Sequence, residues 1–270
     1  MYKPNYEKQN IVNLMSSISK CYGVPHDYQT LSEINPKHLL EYENVVLIVV
    51  DGLGYNFLME QKDSFMSRYV HTKLEGAFPL TTAVSNSTFD FGVPAQQHGL
   101  TGWFVYLKET GTITTVLPFT ERYYSSKLGE IGFDISKITM RDSFMKNIAV
   151  DKYKLLSEKY ANSAFSTHSA KGARIIPTSS IQDSFSKLEE VIKTPNKKFV
   201  HTYIDSYDSS GHEYGIDSSK TYDIFVEIDN AISSLSENIE DTNTIILLTA
   251  DHGMINIEKD KFVNISKYPD

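Results

Sequence analysis

Three separated stretches of the chain place carboxylates and imidazoles where a divalent cation could be held. Asp51 follows the unbroken apolar run 45–50 and precedes Gly52. Asp208 and His212, in Asp208-Ser209-Ser210-Gly211-His212, come shortly after the predicted strand 199–204. Asp251 and His252 are adjacent and follow the predicted buried strand 244–250. A short run rich in β-branched residues and ended by Asp-Gly reads as a strand buried on both faces. An acid just past the carboxyl end of such a strand lies where open α/β sheets place their ligands. Carboxylate oxygens with imidazole nitrogens suit zinc or another divalent transition metal. One Asp, or one Asp-His pair, is an ordinary loop or helix-cap feature. Three such groups, each at the end of a predicted strand, carry the argument.

The hydroxyl on which such a centre could act lies in Phe78-Pro79-Leu80-Thr81-Thr82. Thr81 and Thr82 open a predicted helix that runs through Phe91, and Thr is well suited to cap it. Chemistry would use the same place. A helix start offers unpaired N–H groups and a positive dipole end, which favour a phosphoryl oxygen or an alkoxide. A free Thr hydroxyl is a poor nucleophile at neutral pH, and zinc coordination would lower its pKa.

In this order, Asp51-Gly52, Phe78-Pro79-x-x-Thr82, the segment from Asp208 through His212 and Tyr214 to Gly215, and Asp251-His252-Gly253-Met254 resemble the marks of one family. It is the type I phosphodiesterase/nucleotide pyrophosphatase branch of the alkaline phosphatase superfamily. The resemblance implies an alkaline-phosphatase-like α/β fold and two zinc ions flanking a Thr nucleophile. It implies hydrolysis of phosphodiesters or nucleotide pyrophosphates through a covalent threonyl intermediate. By position, Thr82 is the nucleophile; one metal falls to Asp51, Thr82, Asp251 and His252, the other to Asp208, His212 and a further His. In the family that His lies well downstream of Asp-His-Gly, whereas the last of the eight histidines here is His252. The expectation is a single catalytic domain over residues 1–270 that lacks its C-terminal portion, with the remaining ligand beyond Asp270. The closing Lys267-Tyr268-Pro269-Asp270 reads as neither strand nor helix. A phosphomonoesterase, phosphonate hydrolase or phosphomutase would use the same metal cage, and a non-catalytic metal-binding remnant would fit an incomplete second site. Some nucleotide-cleaving relatives carry an Asn a little after a His-Gly pair, where this sequence has Trp103. Trp103 is therefore a candidate substrate-binding residue, able to stack on a base or wall the pocket, beside the plain reading as a core Trp.

Composition bounds the partners. With 270 residues, 40% hydrophobic and 22% charged, the chain can bury a sizeable core. A formal net charge of −8 argues against a groove built on phosphate neutralisation. Local charge must then draw in an anionic substrate, and bound zinc would supply it. Cys21 is the sole cysteine, which excludes an intramolecular disulfide and zinc–thiolate clusters. The N-terminus, with Lys3, Glu7 and Lys8, is unlike a signal peptide, and no apolar run approaches a membrane span. The expectation is a cytoplasmic protein acting on a small phosphate ester or nucleotide, without nucleic-acid or membrane partners. The oligomeric state is left open.

Periodicity gives the elements that must position these groups. Residues 8–22 set Ile11, Val12, Leu14, Met15 and Ile18 on one side of a helix, ended by Gly23 and Pro25 and predicted to pack on the outside of the domain. Residues 53–69 read as a helix and 71–78 as a strand. Residues 108–150 read as an irregular excursion of the kind that covers active sites, with a strand at 112–116. Its Tyr123 and Tyr124 read as surface tyrosines or substrate contacts. Residues 152–160 read as a helix and 173–177 as a strand. Ser180-x-x-Asp183 reads as a capping box for a helix with Ile181, Phe185, Leu188 and Ile192 as its stripe. Ile224, Phe225, Ile228, Ala231, Ile232 and Leu235 mark one more helix. Gly52-Leu53-Gly54 lacks the remaining glycine of a dinucleotide fingerprint and reads as letting backbone come close to the site. His98 and His201 read as core histidines, His26 and His38 as surface ones, and His168 as a loop residue without a role. Alternating strands and helices imply a mostly parallel central sheet with helices on both faces.

Overall fold

A computed structural model describes residues 4–257. Its strands are β1 (Asn44–Val50), β2 (Phe104–Leu107), β3 (Thr112–Thr115), β4 (Thr120–Glu121), β5 (Asp151–Ser157), β6 (Arg174–Thr178), β7 (Lys198–Ile204) and β8 (Thr244–Thr249). The first six helices are α1 (Ile11–Cys21), α2 (Pro36–Leu39), α3 (Tyr55–Glu60), α4 (Phe65–Arg68), α5 (Thr82–Phe91) and α6 (Ala95–His98). After them come α7 (Glu158–Ala161), α8 (Ala164–Ser169), α9 (Ile181–Ile192), α10 (Ser206–Tyr214) and α11 (Ser219–Asn238). The C-terminal stretch read above as lacking a closing element lies outside the described residues. Among the described residues, no helix is long and apolar enough to cross a membrane.

Five strands form a parallel sheet in the order β6-β5-β7-β1-β8, and β2-β3-β4 form a small antiparallel one. Strand β1 has a partner on each edge and is buried at every position, as an uninterrupted Val-Leu-Ile run requires. Its alternate side chains feed two cores. Val45, Leu47 and Val49 pack with Ile11, Met15 and Ile18 of α1 and with Val84 and Phe89 of α5. Val46, Ile48 and Val50 pack with Phe185 and Leu188 of α9 and with Phe225 and Ile228 of α11. A third cluster joins Ala83 and Phe91 of α5 to Leu107, Val116 and Phe119, so the 104–121 excursion rests on the helix that begins with Thr82.

Several elements depart from the sequence expectation. Helix α1 is not an outer helix, for even its Asn13, Ser16 and Ser17 are buried. The segment after it wraps that polar side: Asn13 donates to the Gln29 carbonyl and Ser16 to that of Tyr28, while Ser17 accepts the Leu31 N–H. The helix expected over 53–69 is two. Helix α3 stops at Gln61, and α4 restarts from Ser64, with the Asp229 carboxylate of α11 accepting the N–H groups of Phe65 and Met66, each at 2.8 Å. Residues 71–78 join no sheet and make only a bridge at Glu75 to Asn10. Most consequential, 152–160 is not a helix but strand β5 followed by short α7; Lys- and Leu-rich composition suggested helix, and pairing with β6 and β7 overrode it. His26 is half-buried against the Gly92 carbonyl rather than a surface residue, and His168 lies in α8, 2.7 Å from the Thr139 hydroxyl.

Candidate active site

Strand register sets the acids side by side. Val50 pairs with Ile204 and Val49 with Thr249, so Asp51 and Asp251 leave neighbouring strands at the same level. One donor atom each of Asp51, Asp251 and His252 lies within 4.8 Å of the others. His252 Nε2 stands 3.3 Å from Asp51 Oδ1 and 3.6 Å from Asp251 Oδ2. It also lies 2.9 Å from Thr82 Oγ1. Groups far apart in the chain thus meet around one hydroxyl. Thr81 is the cap of α5, its hydroxyl accepting the Val84 N–H, which leaves Thr82 as the first helical residue with its own hydroxyl turned to the cluster. Ser85 of the same helix donates to the Asp251 carbonyl at 2.9 Å.

Each of the two acids has one oxygen committed. Asp251 Oδ1 accepts from the N–H of Gly52 at 3.1 Å and of His252 at 2.8 Å, and the Tyr203 hydroxyl donates to Asp51 Oδ2. The other oxygens, Asp51 Oδ1 and Asp251 Oδ2, are buried without a hydrogen bond, as is Asp208 Oδ1. Orphaned buried acceptors are costly and call for a partner. Their donor set, carboxylate oxygens with an imidazole, fits a divalent cation such as zinc. The protonation equilibria agree. Burial first, then the charges of Asp251 and Asp208, push the Asp51 carboxyl well above the usual carboxylate range, with His252 and Tyr203 opposing. Burial likewise pushes Asp251 up to about 6, against the hydrogen bonds it accepts. A cation would relieve this repulsion.

Asp208 and His212 stand on α10, one helical turn apart on one face. Asp208 is buried and His212 exposed, with Nε2 3.5 Å from Asp208 Oδ2. The pair adjoins the first cluster without joining its 4.8 Å group. Gly52 makes the approach feasible: its φ is +76°, and a Cβ there would lie 3.1 Å from both Cβ and Oδ1 of Asp208. Gly54 does the same for the last loop, since its Cβ would fall 2.7 Å from the Gly253 Cα.

A cavity of about 100 Å³ opens on this cluster, lined by Asp51, Thr82 and Asp208 and walled by Trp103, Leu117 and Phe165. Trp103 is half-buried, lining the cavity on one side and packing on the third core cluster on the other. Tyr123 and Tyr124 are exposed and line no part of the cavity. His98 and His201 are buried, as expected of core histidines. Sequence reasoning missed Tyr203, Asn86, Asp90 and Lys154, all of which line the cavity. A signal for Tyr203 existed, because it stands two residues from His201 and so shares its face of β7.

A parallel, doubly covered sheet whose strand ends gather acids and an imidazole about a hydroxyl at a helix start defines an alkaline-phosphatase-like α/β protein. The chain belongs to the type I phosphodiesterase/nucleotide pyrophosphatase family, whose sequence profile matches residues 45–270. No curated protein sequence matches it. Among solved structures it is similar to murine ectonucleotide pyrophosphatase/phosphodiesterase 5, with a TM-score of 0.64 and 16% identity over 84% of this chain and 61% of that one. An inactive form of the murine protein in complex with AMP gives 0.61 at 16% identity with the same coverage. The human counterpart gives 0.55 at 15% identity, again over 84% and 61%. At such identity the likeness establishes the fold, and the chain spans about three-fifths of these proteins' length.

Proposed function

We propose that this chain carries the catalytic part of a phosphoric ester hydrolase acting on phosphodiesters or nucleotide pyrophosphates, with Thr82 as nucleophile and two zinc ions as cofactors. The observation that carries the reading is the 2.9 Å approach of the Thr82 hydroxyl to His252, beside two buried carboxylate oxygens that lack hydrogen bonds. Asp51, Thr82, Asp251 and His252 would hold one cation. Asp208 and His212 would hold the other, together with a ligand outside the described residues. When bound, the cations would lower the pKa of the Thr82 hydroxyl and neutralise phosphoryl charge.

The remaining work falls to the chain itself. Phosphoryl transfer asks mainly for in-line placement and charge compensation. Thr82 Oγ1 forms a bond to phosphorus as the bond to the leaving oxygen breaks, and its proton passes to solvent. Water then cleaves the phosphoryl- or nucleotidyl-threonine and restores the hydroxyl. The start of α5 offers its positive dipole end to the phosphoryl oxygens. Tyr203 holds Asp51 by one oxygen and keeps the other turned to the cluster. Trp103, Leu117 and Phe165 give an ester's second group an apolar wall, which favours a diester over a monoester. The AMP bound by the murine relative supports a nucleoside as that group.

The test is the rate on a nitrophenyl phosphodiester against that on a nitrophenyl phosphomonoester, before and after chelation and with zinc restored. Diester preference, loss with chelator and recovery with zinc are expected. Monoester preference would move the assignment to a phosphatase. Turnover that resists chelation would exclude the metal reading, and one tightly held ion with no turnover would identify a binding remnant.

A further inference from the structure

Beneath the cluster lies a buried ion pair, with a buried histidine beside it, that cation binding leaves unused. Asp90, near the end of α5, is fully buried, and Lys154 of β5 and His201 of β7 are 4% and 1% exposed. Lys154 Nζ donates to Asp90 Oδ2 at 2.5 Å, and His201 Nδ1 stands 3.3 Å from Asp90 Oδ1 without a hydrogen bond to it. Lys154 and His201 are register partners on adjacent strands, so Lys154 grips the helix carboxylate while the His201 ring packs beside it. Asp90 and Lys154 also line the cavity that opens on Thr82.

Burying this pair is not the cheapest way to fasten a helix, because an apolar pair of similar volume holds as well or better. A charged hydrogen bond adds direction, which apolar packing lacks. The polar contacts of α5 fall along one side. Thr82 meets His252, Ser85 meets the Asp251 carbonyl, and Asp90 meets Lys154. Between them Asn86 lines the same cavity as Tyr203, and positions 82, 86 and 90 recur at helical spacing. Asp90 lies about 12 Å along the helix axis from Thr82, at about 1.5 Å per residue. A rigid helix transmits a slip at one end to the other, and reacting groups tolerate misplacement of only about 1 Å.

We propose that the Asp90–Lys154–His201 cluster is a positioning device for the nucleophile, setting where α5 sits along the sheet and so where Thr82 Oγ1 stands against Asp51, Asp251 and His252. This rests on Thr82 being the nucleophile, and the test separates the two ideas. The double variant Asp90→Leu/Lys154→Met replaces the ion pair by an apolar one and keeps all proposed metal ligands. It should melt no lower than the wild type and bind the same number of zinc ions. Its kcat on a nitrophenyl phosphodiester should fall by about 100-fold, with KM within about two-fold. Backbone amides 84–90 should exchange about ten-fold faster with solvent deuterium.

A merely structural pair would be replaceable, so a folded double variant with unchanged kcat overturns the proposal. So does unchanged amide exchange, which is read without substrate. A wild-type protein without hydrolytic activity sinks the nucleophile assignment alone, and the exchange comparison still judges the positioning. Should the double variant not fold, His201→Asn, which keeps the Asp90–Lys154 pair, is judged by the same two readouts.

Discussion

Two neighbouring threonines divide the labour at the start of α5, and substitution separates them. Thr82→Ala removes the hydroxyl that meets His252 but leaves the cap, which belongs to Thr81. Turnover of the diester should fall by about 10³-fold or more, with the urea unfolding midpoint almost unmoved. Thr81→Ala should do the reverse, costing about 1 kcal/mol of stability as a lost cap while retaining most activity. If Thr81→Ala were the inactive variant, the nucleophile would be misassigned by one position. Tyr203 offers a second residue test. It holds Asp51 from β7, and second-layer partners of metal ligands contribute about 10–100-fold in affinity. Tyr203→Phe should weaken zinc by that order in a competition titration against a chromogenic chelator, and undiminished affinity would rule the role out. That Asp51, Asp251 and His252 lie at strand ends and Thr82 at a helix start was legible, because each follows a strand run or opens a helix; Asp208 and His212, read as following a strand end, stand instead on α10. For Tyr203 the local pattern carried only its face of β7, and for Lys154 nothing, since the part each plays depends on which strand lies next to which.

At the scale of elements, legibility tracked how many neighbours an element needs. Strands β1 and β8 announce themselves by their apolar runs, β7 by its β-branched and aromatic residues, and α9 by its stripe and Ser180 cap, whose hydroxyl accepts the Asp183 N–H at 3.1 Å. The capping box is only half as read, because the Asp183 carboxylate accepts from Ser179 rather than Ser180. Strand β5 was hidden, since Lys154 looks solvent-facing until Asp90 supplies a buried partner. The break between α3 and α4 was hidden for a similar reason. Asp229, more than a hundred and sixty residues away, supplies the acceptors that let α4 restart. Asp229→Ala should therefore cost about 1–2 kcal/mol in urea unfolding. It should leave kcat unchanged, because neither α4 nor Asp229 lines the cavity. A loss of activity without loss of stability would show that α4 does more than brace the sheet.

Over the whole molecule, two sets of buried groups push stability in opposite directions with pH. Burial lowers His98 from 6.5 to about 4, and lowers His201 and His26 as well. As pH falls from 6.5 towards 4, the unfolded chain takes up protons that folded His98 refuses, so this group destabilises the fold on acidification. Asp251 has the other sign. Its folded value of about 6 lies above its ordinary 3.8, so between those values the folded state holds the extra proton and loses that advantage as pH rises. Asp51 acts in the same sense. In the metal-free protein the two slopes offset each other between pH 4 and 6. Bound zinc needs deprotonated ligands, which removes the carboxylate contribution and makes binding itself weaken on acidification. The zinc-loaded protein should then lose stability more steeply than the metal-free one as pH drops from 6.5 to 4, with His98→Asn reducing the slope in both. Urea unfolding at a series of pH values, with zinc and with chelator, measures this. Parallel curves would mean that Asp51 and Asp251 do not change protonation when the cation binds, and the cluster would lose its claim to be a metal site.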